Sequence, residues 1–507
     1  MKNKAISSLP IRCAVLLLAL ATLLCALSGC GFIIINDPSG SSSAATTQSP
    51  TTSAPDTTAE SPLVTEPPAE DTTSAPETEP ALDPIVFPDR KDEAQERLDA
   101  LVDPVGISGF TLIIASANDT ADVIFCDEQS PLYAARSQRN AMLYEKFGVD
   151  IRTIYESVDS AKIYDDLLSS LQTGQNSDIY LDLIIIPASK VGEFLAKGLV
   201  KDMRSLPFYS YNGGSKSGNV GNSRYADLGN GTDAPEYIYA LYFNRTMLGT
   251  DGTEKLYAAA LDGKLTWETL VSTAKEVFPR AADIGVGEGA ALLGDLAVKL
   301  SDVSYIVKDD SGVPKLEISD GNLARIDSLI DSVTKFTVYQ PTESSAPALE
   351  RFKSGDIPFY VGTLSDILDL YDEKTEWGLL PLPSDRNVGA VSDERPAICL
   401  PVTGTRLEQT SIWLEGFNAA SGNWIRDAFL KSAIENYLRD NSSCLSLSRI
   451  LSQQTELGFE RVFSGYYSGL ADATYGGAGE AASGNIRYSE IYAKKLSSLN
   501  KKLQKLP

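Results

Sequence analysis

The chain has 507 residues, with 44 Lys and Arg against 68 Asp and Glu, a formal charge of −24 and no histidine. Without imidazole there is no Ser-His-Asp triad, no Cys-His dyad and none of the common zinc or copper sites. The acidic balance, with no basic stripe against it, excludes nucleic acid as a partner, because that binding relies on clustered Lys and Arg neutralising phosphates.

Met1-Lys2-Asn3-Lys4 and Arg12 precede an uncharged run from Cys13 to Leu27, the order of a secretory signal. The run falls short of the roughly 20 residues that a spanning helix needs. It ends in Leu27-Ser28-Gly29-Cys30, which resembles a bacterial lipobox. That resemblance implies a signal peptide over 1–29, a lipidated N-terminus over 30–36 and an acyl chain on Cys30, against the alternative of a plain signal peptide or a short anchor. Residues 37–90 are Ser, Thr, Pro, Ala and acids, as in Ser41-Ser42-Ser43-Ala44-Ala45-Thr46-Thr47, and cannot bury a core. They predict a disordered tether of r.m.s. span about 45 Å, open to O-glycosylation. Beyond Cys30, the mature chain holds Cys126, Cys399 and Cys444, too scattered for a disulfide framework or a metal site. Buried thiols are expected; three cysteines cannot all pair, and the sequence does not choose between pairs.

From Arg90 onward, roughly 400 residues suffice for two lobes of about 100–200 residues each. Phe110 to Ala115 is a β-branched strand run, Ala134 to Phe147 has helical spacing, and Val149 to Ile154 alternates with period two. A helix near Tyr164 to Leu171 and the continuous apolar run Leu181 to Ile186 follow. Continuous apolar strands between helices predict a parallel sheet covered on both faces, an α/β fold. After a Gly/Asn/Ser-rich loop over 212–232, Tyr237 to Phe243 reads as a strand crossing between lobes, and Ile357 to Gly362 as a second crossing. A helix over Leu364 to Leu370 and a strand over Trp377 to Pro383 come next, and the region from Thr405 is mostly helical. The expected division is lobe 1 over 91–240 and 357–404, and lobe 2 over 241–356 and 405–507.

This order of segments resembles the extracellular solute-binding proteins of carbohydrate ABC importers, in the subgroup typical of Gram-positive lipoproteins. Arg139 to Ile151 is similar to that family's first helix and its exit into the second strand, and Leu181-Asp182-Leu183-Ile184 to its next strand, with Gly198-Leu199-Val200-Lys201-Asp202 after the following helix. Leu241-Tyr242-Phe243-Asn244-Arg245 and Gly263-Lys264-Leu265-Thr266-Trp267 are similar to its crossing strand and the helix start beyond, with Leu265 where the family has Trp. Phe352-Lys353-Ser354-Gly355, Trp377 to Pro383 and Ile398-Cys399-Leu400-Pro401 supply the later landmarks. The resemblance implies a two-lobed periplasmic-binding-protein-like fold with a hinge and an interlobe cleft. It implies no catalytic set, cofactor or metal. A carbohydrate, more narrowly an oligosaccharide, would be handed to ABC permease subunits at the outer face of the cell membrane.

Sugar recognition needs carboxylates and amides for paired hydroxyls, and flat aromatic faces. Loops at the carboxyl ends of strands in an α/β sheet present such groups. The expected ligand residues are Asn118, Asp119, Asp127 and Glu128 after the first strand and Ser189 and Lys190 after the third. Tyr242 and Thr363 join them at the crossings, Glu288 in the Gly-rich loop 285–289, and Trp424 as a stacking platform after a glycine break, with Tyr466 and Tyr467 as second choices. Gly285-Val286-Gly287-Glu288-Gly289 lacks the Gly-Lys-Ser/Thr ending of a phosphate loop. Asn244 is expected to fix backbone near the hinge, and Trp267 and Trp377 to pack. The loop Pro187-Ala188-Ser189-Lys190 carries no aromatic, a departure from many sugar binders of this kind. Two rival readings share these features: a lipid-anchored glycoside hydrolase, which needs only two carboxylates, and a sensor module of the same fold.

Overall fold

The computed structural model describes residues 90–505 apart from short segments at 126–127, 129, 155–157, 174–179, 211–214, 278–288, 336–346, 372–374, 385 and 485. The expected signal peptide, Cys30 and the tether lie outside the described residues, as do Cys126, Asp127 and Glu288.

Two sheets organise this body, an α/β architecture of two lobes. Strands β1 (Thr111–Ser116), β2 (Asp150–Ile154) and β3 (Leu183–Pro187) run parallel, with β3 and β2 flanking β1. The crossover helices Tyr133–Phe147 and Ser160–Thr173 connect them as the alternation of signals predicts. Two short strands, β4 (Asn219–Val220) and β5 (Ser223–Arg224), form a hairpin in the Gly/Asn/Ser-rich region. The second sheet is antiparallel, with β6 (Tyr239–Asn244) between β9 (Phe359–Thr363) and β10 (Trp377–Leu380). The intervening β7 (Ile306–Lys308) and β8 (Pro314–Leu316) make a separate hairpin. Strand β11 (Pro396–Cys399) returns to the first sheet, antiparallel to β3 with Pro396 opposite Pro187. The two runs read as crossings, β6 and β9, are hydrogen-bonded neighbours, with Tyr239 opposite Thr363.

Alternation along these strands feeds two core layers. Ile184 and Ile186 of β3 enter one cluster with Leu241 and Phe243 of β6, Phe359 and Val361 of β9, and Ala397 and Cys399 of β11. Leu183, Ile185, Ala240, Tyr242, Tyr360 and Ile398 enter the other. A strand covered on both faces needs an apolar residue at every position, which is why β3 reads as an unbroken hydrophobic run. At about 25 cal/mol per Å² of buried apolar area, each such side chain contributes about 1.5–3 kcal/mol.

Local chemistry sets the element ends. Gly148 adopts φ 60° and closes the helix Tyr133–Phe147 by donating to Tyr144 O at 2.7 Å; a Cβ there would meet Ser108 Oγ at 2.7 Å. Asn244 caps the helix Arg245–Leu261, its Oδ1 accepting from Met247 N at 2.9 Å. Thr266 does the same for the helix beginning at Trp267, accepting from Thr269 N at 3.1 Å. Asp182, at the entrance to β3, is fully buried and accepts from Ile113 N at 2.7 Å and Arg406 Nε at 2.9 Å.

The C-terminal region is helical but is divided in its packing. Helix Leu407–Ala420, which the sequence places in the second lobe, lies against the helices Lys91–Asp99 and Tyr133–Phe147. Its buried face of Ile412, Trp413, Leu414 and Phe417 belongs to the same core layer as β1 residues Leu112 and Ile114. Helix Tyr475–Ser483 instead packs on Gly289–Leu300.

Candidate functional site

The carboxyl ends of β1 and β3 and the start of β11 meet at one edge of the first sheet. Ala188 N donates to Arg395 O at 2.9 Å and Ser189 N to Asp393 O at 3.0 Å, continuing the β3–β11 ladder into the loops. Ser189 Oγ donates to Glu394 Oε1 at 3.2 Å, and Thr120 Oγ1 to Glu394 O at 2.6 Å. Burial raises the pKa of Glu394, with the Ser189 hydroxyl opposing and the charge of Asp393 adding to the shift. Lys190 is half-exposed and reaches Glu193 at 4.0 Å.

Asp393 turns away from this edge into a charge cluster built by distant segments. Its carboxylate meets Lys299 Nζ at 3.1 Å and Arg461 Nη1 at 2.9 Å, and both cations also pair with Asp295, Lys299 at 3.0 Å. Lys299 is 9% exposed and Arg461 2%. Arg461 stacks on Tyr475, 3.8 Å from the ring centroid, and Lys299 lies 5.2 Å from that of Tyr239. Burial opposes the charge on Lys299, but Asp393 and Asp295 outweigh it and raise its pKa. Burial likewise works against ionised Asp393, and the pull of Lys299 and Arg461 reverses it, holding this carboxyl below its ordinary range.

Beside the cluster opens a cavity of about 350 Å³. Its walls are Lys299 and the turn after its helix, Tyr305, Ile306 and Lys308 at β7, the loop Ser215–Ser217, Val388-Gly389, Gln454, and Glu456 to Arg461. Lys308 Nζ donates to Lys216 O at 3.2 Å and Asn219 O at 2.9 Å and sits 5.0 Å from the Phe459 ring centroid; burial pushes its pKa down to about 8. Glu460 lines the cavity and is 7% exposed; burial raises its pKa, against the charge of Arg461 and its own backbone N–H. A second cavity of about 360 Å³ adjoins it, sharing Ser215, Gln454, Glu456 and Leu457. Asn230, Asn423 and the two-pronged Arg426–Asp233 pair, at 2.6 and 3.0 Å, lie in its wall.

The residues expected from the sequence fall into three groups. Asn118, Asp119, Ser189 and Lys190 are near the sheet edge, but none lines either cavity. Asp119 accepts from Ser160 N at 3.2 Å and from the Ser160 hydroxyl at 2.5 Å, at the start of the helix Ser160–Thr173, while exposed Asn118 donates its N–H to Val158 O at 2.9 Å. Glu128 is an exposed turn residue.

Tyr242, Thr363 and Trp424 make their bonds within the protein. Tyr242 is fully buried, donates to Thr363 O at 2.7 Å, and packs 5.8 Å from the rings of both Tyr360 and Trp377. Thr363 N donates to Asp366 Oδ2 at 2.9 Å, and its hydroxyl pairs with Ser365 Oγ at 2.7 Å. Trp424 is 6% exposed and its indole N–H donates at 2.9 Å to Ala420 O, at the end of the preceding helix. Its plane is spent on the core; the glycine break only lets the chain turn there, with Gly422 at φ 108°. Tyr467 is also buried, and Tyr466 packs partly against the core.

Lys299, Asp393, Arg461, Glu460 and Gln454 were not anticipated. They sit on a helix, two loops and a four-residue helix with no common motif, and only the fold brings them together. Among the described residues, no group of His, Cys, Asp and Glu is placed to hold a metal ion, and no helix is long and apolar enough to cross a membrane.

Among solved structures, the chain is similar to the GacH receptor of Streptomyces glaucescens, at 12% identity over 78% of this chain and 99% of that one, with a TM-score of 0.46. It is similar to the galacto-N-biose-/lacto-N-biose I-binding protein of the ABC transporter from Bifidobacterium longum, at 13% identity over 78% and 97%, with a TM-score of 0.47. A third is the maltose-maltodextrin binding protein of Alicyclobacillus acidocaldarius, at 16% identity over 78% and 100%, with a TM-score of 0.41. No curated protein matches the chain. The model of the bacterial extracellular solute-binding protein family matches residues 138–415, more than half of the chain, and the protein belongs to that family.

Proposed function

We propose that this protein captures a carbohydrate, of oligosaccharide size, in the two adjoining cavities, and hands it to the permease subunits of an ABC importer. The observation that carries this is the pair of cavities of about 350 and 360 Å³ with a shared wall. Each lies within the range of small-molecule sites, and together they suit a ligand longer than one ring. Their walls are rich in hydroxyl, amide and charged groups, which match a polyhydroxylated solute, and Phe459 adds an aromatic surface. β6 and β9 supply the crossing between lobes, and rotation about them closes the cleft and presents a joined face to the importer. Acylated Cys30 holds the body at the outer face of the cell membrane, at the end of the 37–90 tether.

A ligand that binds only the folded state raises its stability by about 2.7 kcal/mol at one hundred times its dissociation constant. Thermal-shift screening of an oligosaccharide library against the purified body is expected to give a clear hit, recovered intact by mass spectrometry after long incubation. Hydrolysis products would instead establish the glycosidase, and a shift with peptides alone would overturn the substrate class.

A further inference from the structure

Four cations line the first cavity, and two of them are neutralised within the protein: Lys299 and Arg461 are each shared between Asp295 and Asp393. Lys308 and Lys216 differ. Among the described residues, neither forms an ion pair with a carboxylate. The Lys308 ammonium is held at the wall by two backbone carbonyls, Lys216 O at 3.2 Å and Asn219 O at 2.9 Å, which ties it to the loop that carries the exposed Lys216. An ammonium has three donors, so one remains beyond these two. Burial and the charge of Lys216 both act against the charge on Lys308, which is why its pKa falls to about 8. The acids of the same wall do not relieve it. Asp302 pairs with Arg386 at 3.5 Å, and Glu460 accepts from its own backbone N–H and feels the charge of Arg461. Glu456 is exposed at the border with the second cavity, and none of these three is among the charges acting on Lys308.

We propose that Lys308 and Lys216 form an anion subsite in the first cavity, which takes a carboxylate or sulfate carried by a sugar. This rests on the reading of the cavity as the carbohydrate site and narrows the substrate class to acidic oligosaccharides. Two like charges held near one another at a partly buried wall repel, and a solute anion beside them supplies the opposite charge that the chain does not. The remaining donor of Lys308 gives such an anion a charge-assisted hydrogen bond, stronger than one to a neutral hydroxyl. Lysine is a compact point charge with rotatable donors and lacks the fixed fork of arginine, so the subsite suits a carboxylate and a sulfate alike. A neutral sugar leaves the repulsion in place.

The test is calorimetric titration of the purified protein with trigalacturonate, its full methyl ester, a sulfated carrageenan tetrasaccharide and maltotriose. The methyl ester keeps the sugar skeleton and removes the charge. At least one of the two acidic sugars is expected to bind about tenfold or more tighter than both neutral ones, the gain of a hydrogen bond to a charged group, and which one binds tells carboxylate from sulfate. Lys308→Gln should close that gap and Lys216→Gln narrow it, with affinity for the neutral sugars unchanged, whereas Lys216→Arg, which keeps the charge, should keep the gap. Lys216 is exposed, so its variants should melt as the wild type does and keep the test valid should Lys308→Gln fold poorly. Neutral sugars binding as tightly as the acidic ones, or a gap unchanged in Lys216→Gln, overturns the subsite and leaves the carbohydrate reading standing. Failure of all four sugars to bind the wild type sinks both.

Discussion

Replacing Asp393 by Asn tests whether the buried cluster fastens the edge of the first sheet to the helical layer. Asp393 follows a loop that leads into β11, whereas Asp295 and Lys299 ride on the helix Gly289–Leu300 and Arg461 on Phe459–Val462. Without its charge, Lys299 and Arg461, 9% and 2% exposed, share the single carboxylate of Asp295. Breaking a buried pair by removing one partner costs about 3–5 kcal/mol. The lower end, about 3 kcal/mol, applies because the Asp393 side chain keeps 21% exposure and Asn retains an acceptor. Urea unfolding at neutral pH is expected to show an unfolding free energy lowered by this amount, read as a midpoint shifted by that amount divided by an unchanged slope. Because the group's pKa is depressed on folding, its contribution is present above the ordinary carboxylate range and is lost as pH falls through the depressed value. Asp393→Asn should therefore flatten the acid limb of the stability curve. Pairing it with Lys299→Met closes a double-mutant cycle, in which contacting partners couple by about 0.5–3 kcal/mol. A loss below about 1 kcal/mol, or strict additivity in the cycle, would refute the clamp.

Trp424→Ala is expected to cost about 3–5 kcal/mol of stability, as for other buried aromatics, while leaving sugar affinity unchanged in the folded fraction. A selective loss of affinity at wild-type stability would restore the stacking role. Cys30→Ser is expected to abolish fatty-acid labelling and leave the precursor uncleaved by lipoprotein signal peptidase, and normal labelling of the variant would refute the anchor.

The fold was legible in the sequence because burial on both faces writes itself into composition. Leu183 to Ile186 had to be apolar at every position to serve two cores, and that unbroken run marks β3 without any knowledge of its neighbours. Caps were legible for the same local reason: the Asn244 side chain satisfies an amide three residues on, within a window the sequence displays. The packing of Leu407–Ala420 was less so, because an amphipathic helix announces its apolar face but not which sheet it will cover. That choice depends on Lys91–Asp99 and Tyr133–Phe147, more than 250 positions upstream.

The candidate site was hardly legible, and Trp424 illustrates the physics. An aromatic after a glycine suits a platform as well as a core filler, and the Ala420 carbonyl at the end of the preceding helix is what its indole N–H meets in the fold. Glu460 accepts from its own backbone N–H and feels the charge of Arg461, yet burial outweighs both, and its raised pKa has the opposite sign to that of Asp393. Its contribution to stability is present at low pH and is lost as pH rises through the raised value, so at neutral pH the free protein carries a cost there. Asp393 and Glu460 thus part by what acts beside burial: Lys299 and Arg461 pull the first below its ordinary range, while the charges of Asp393 and Asp295 add to the burial that raises the second.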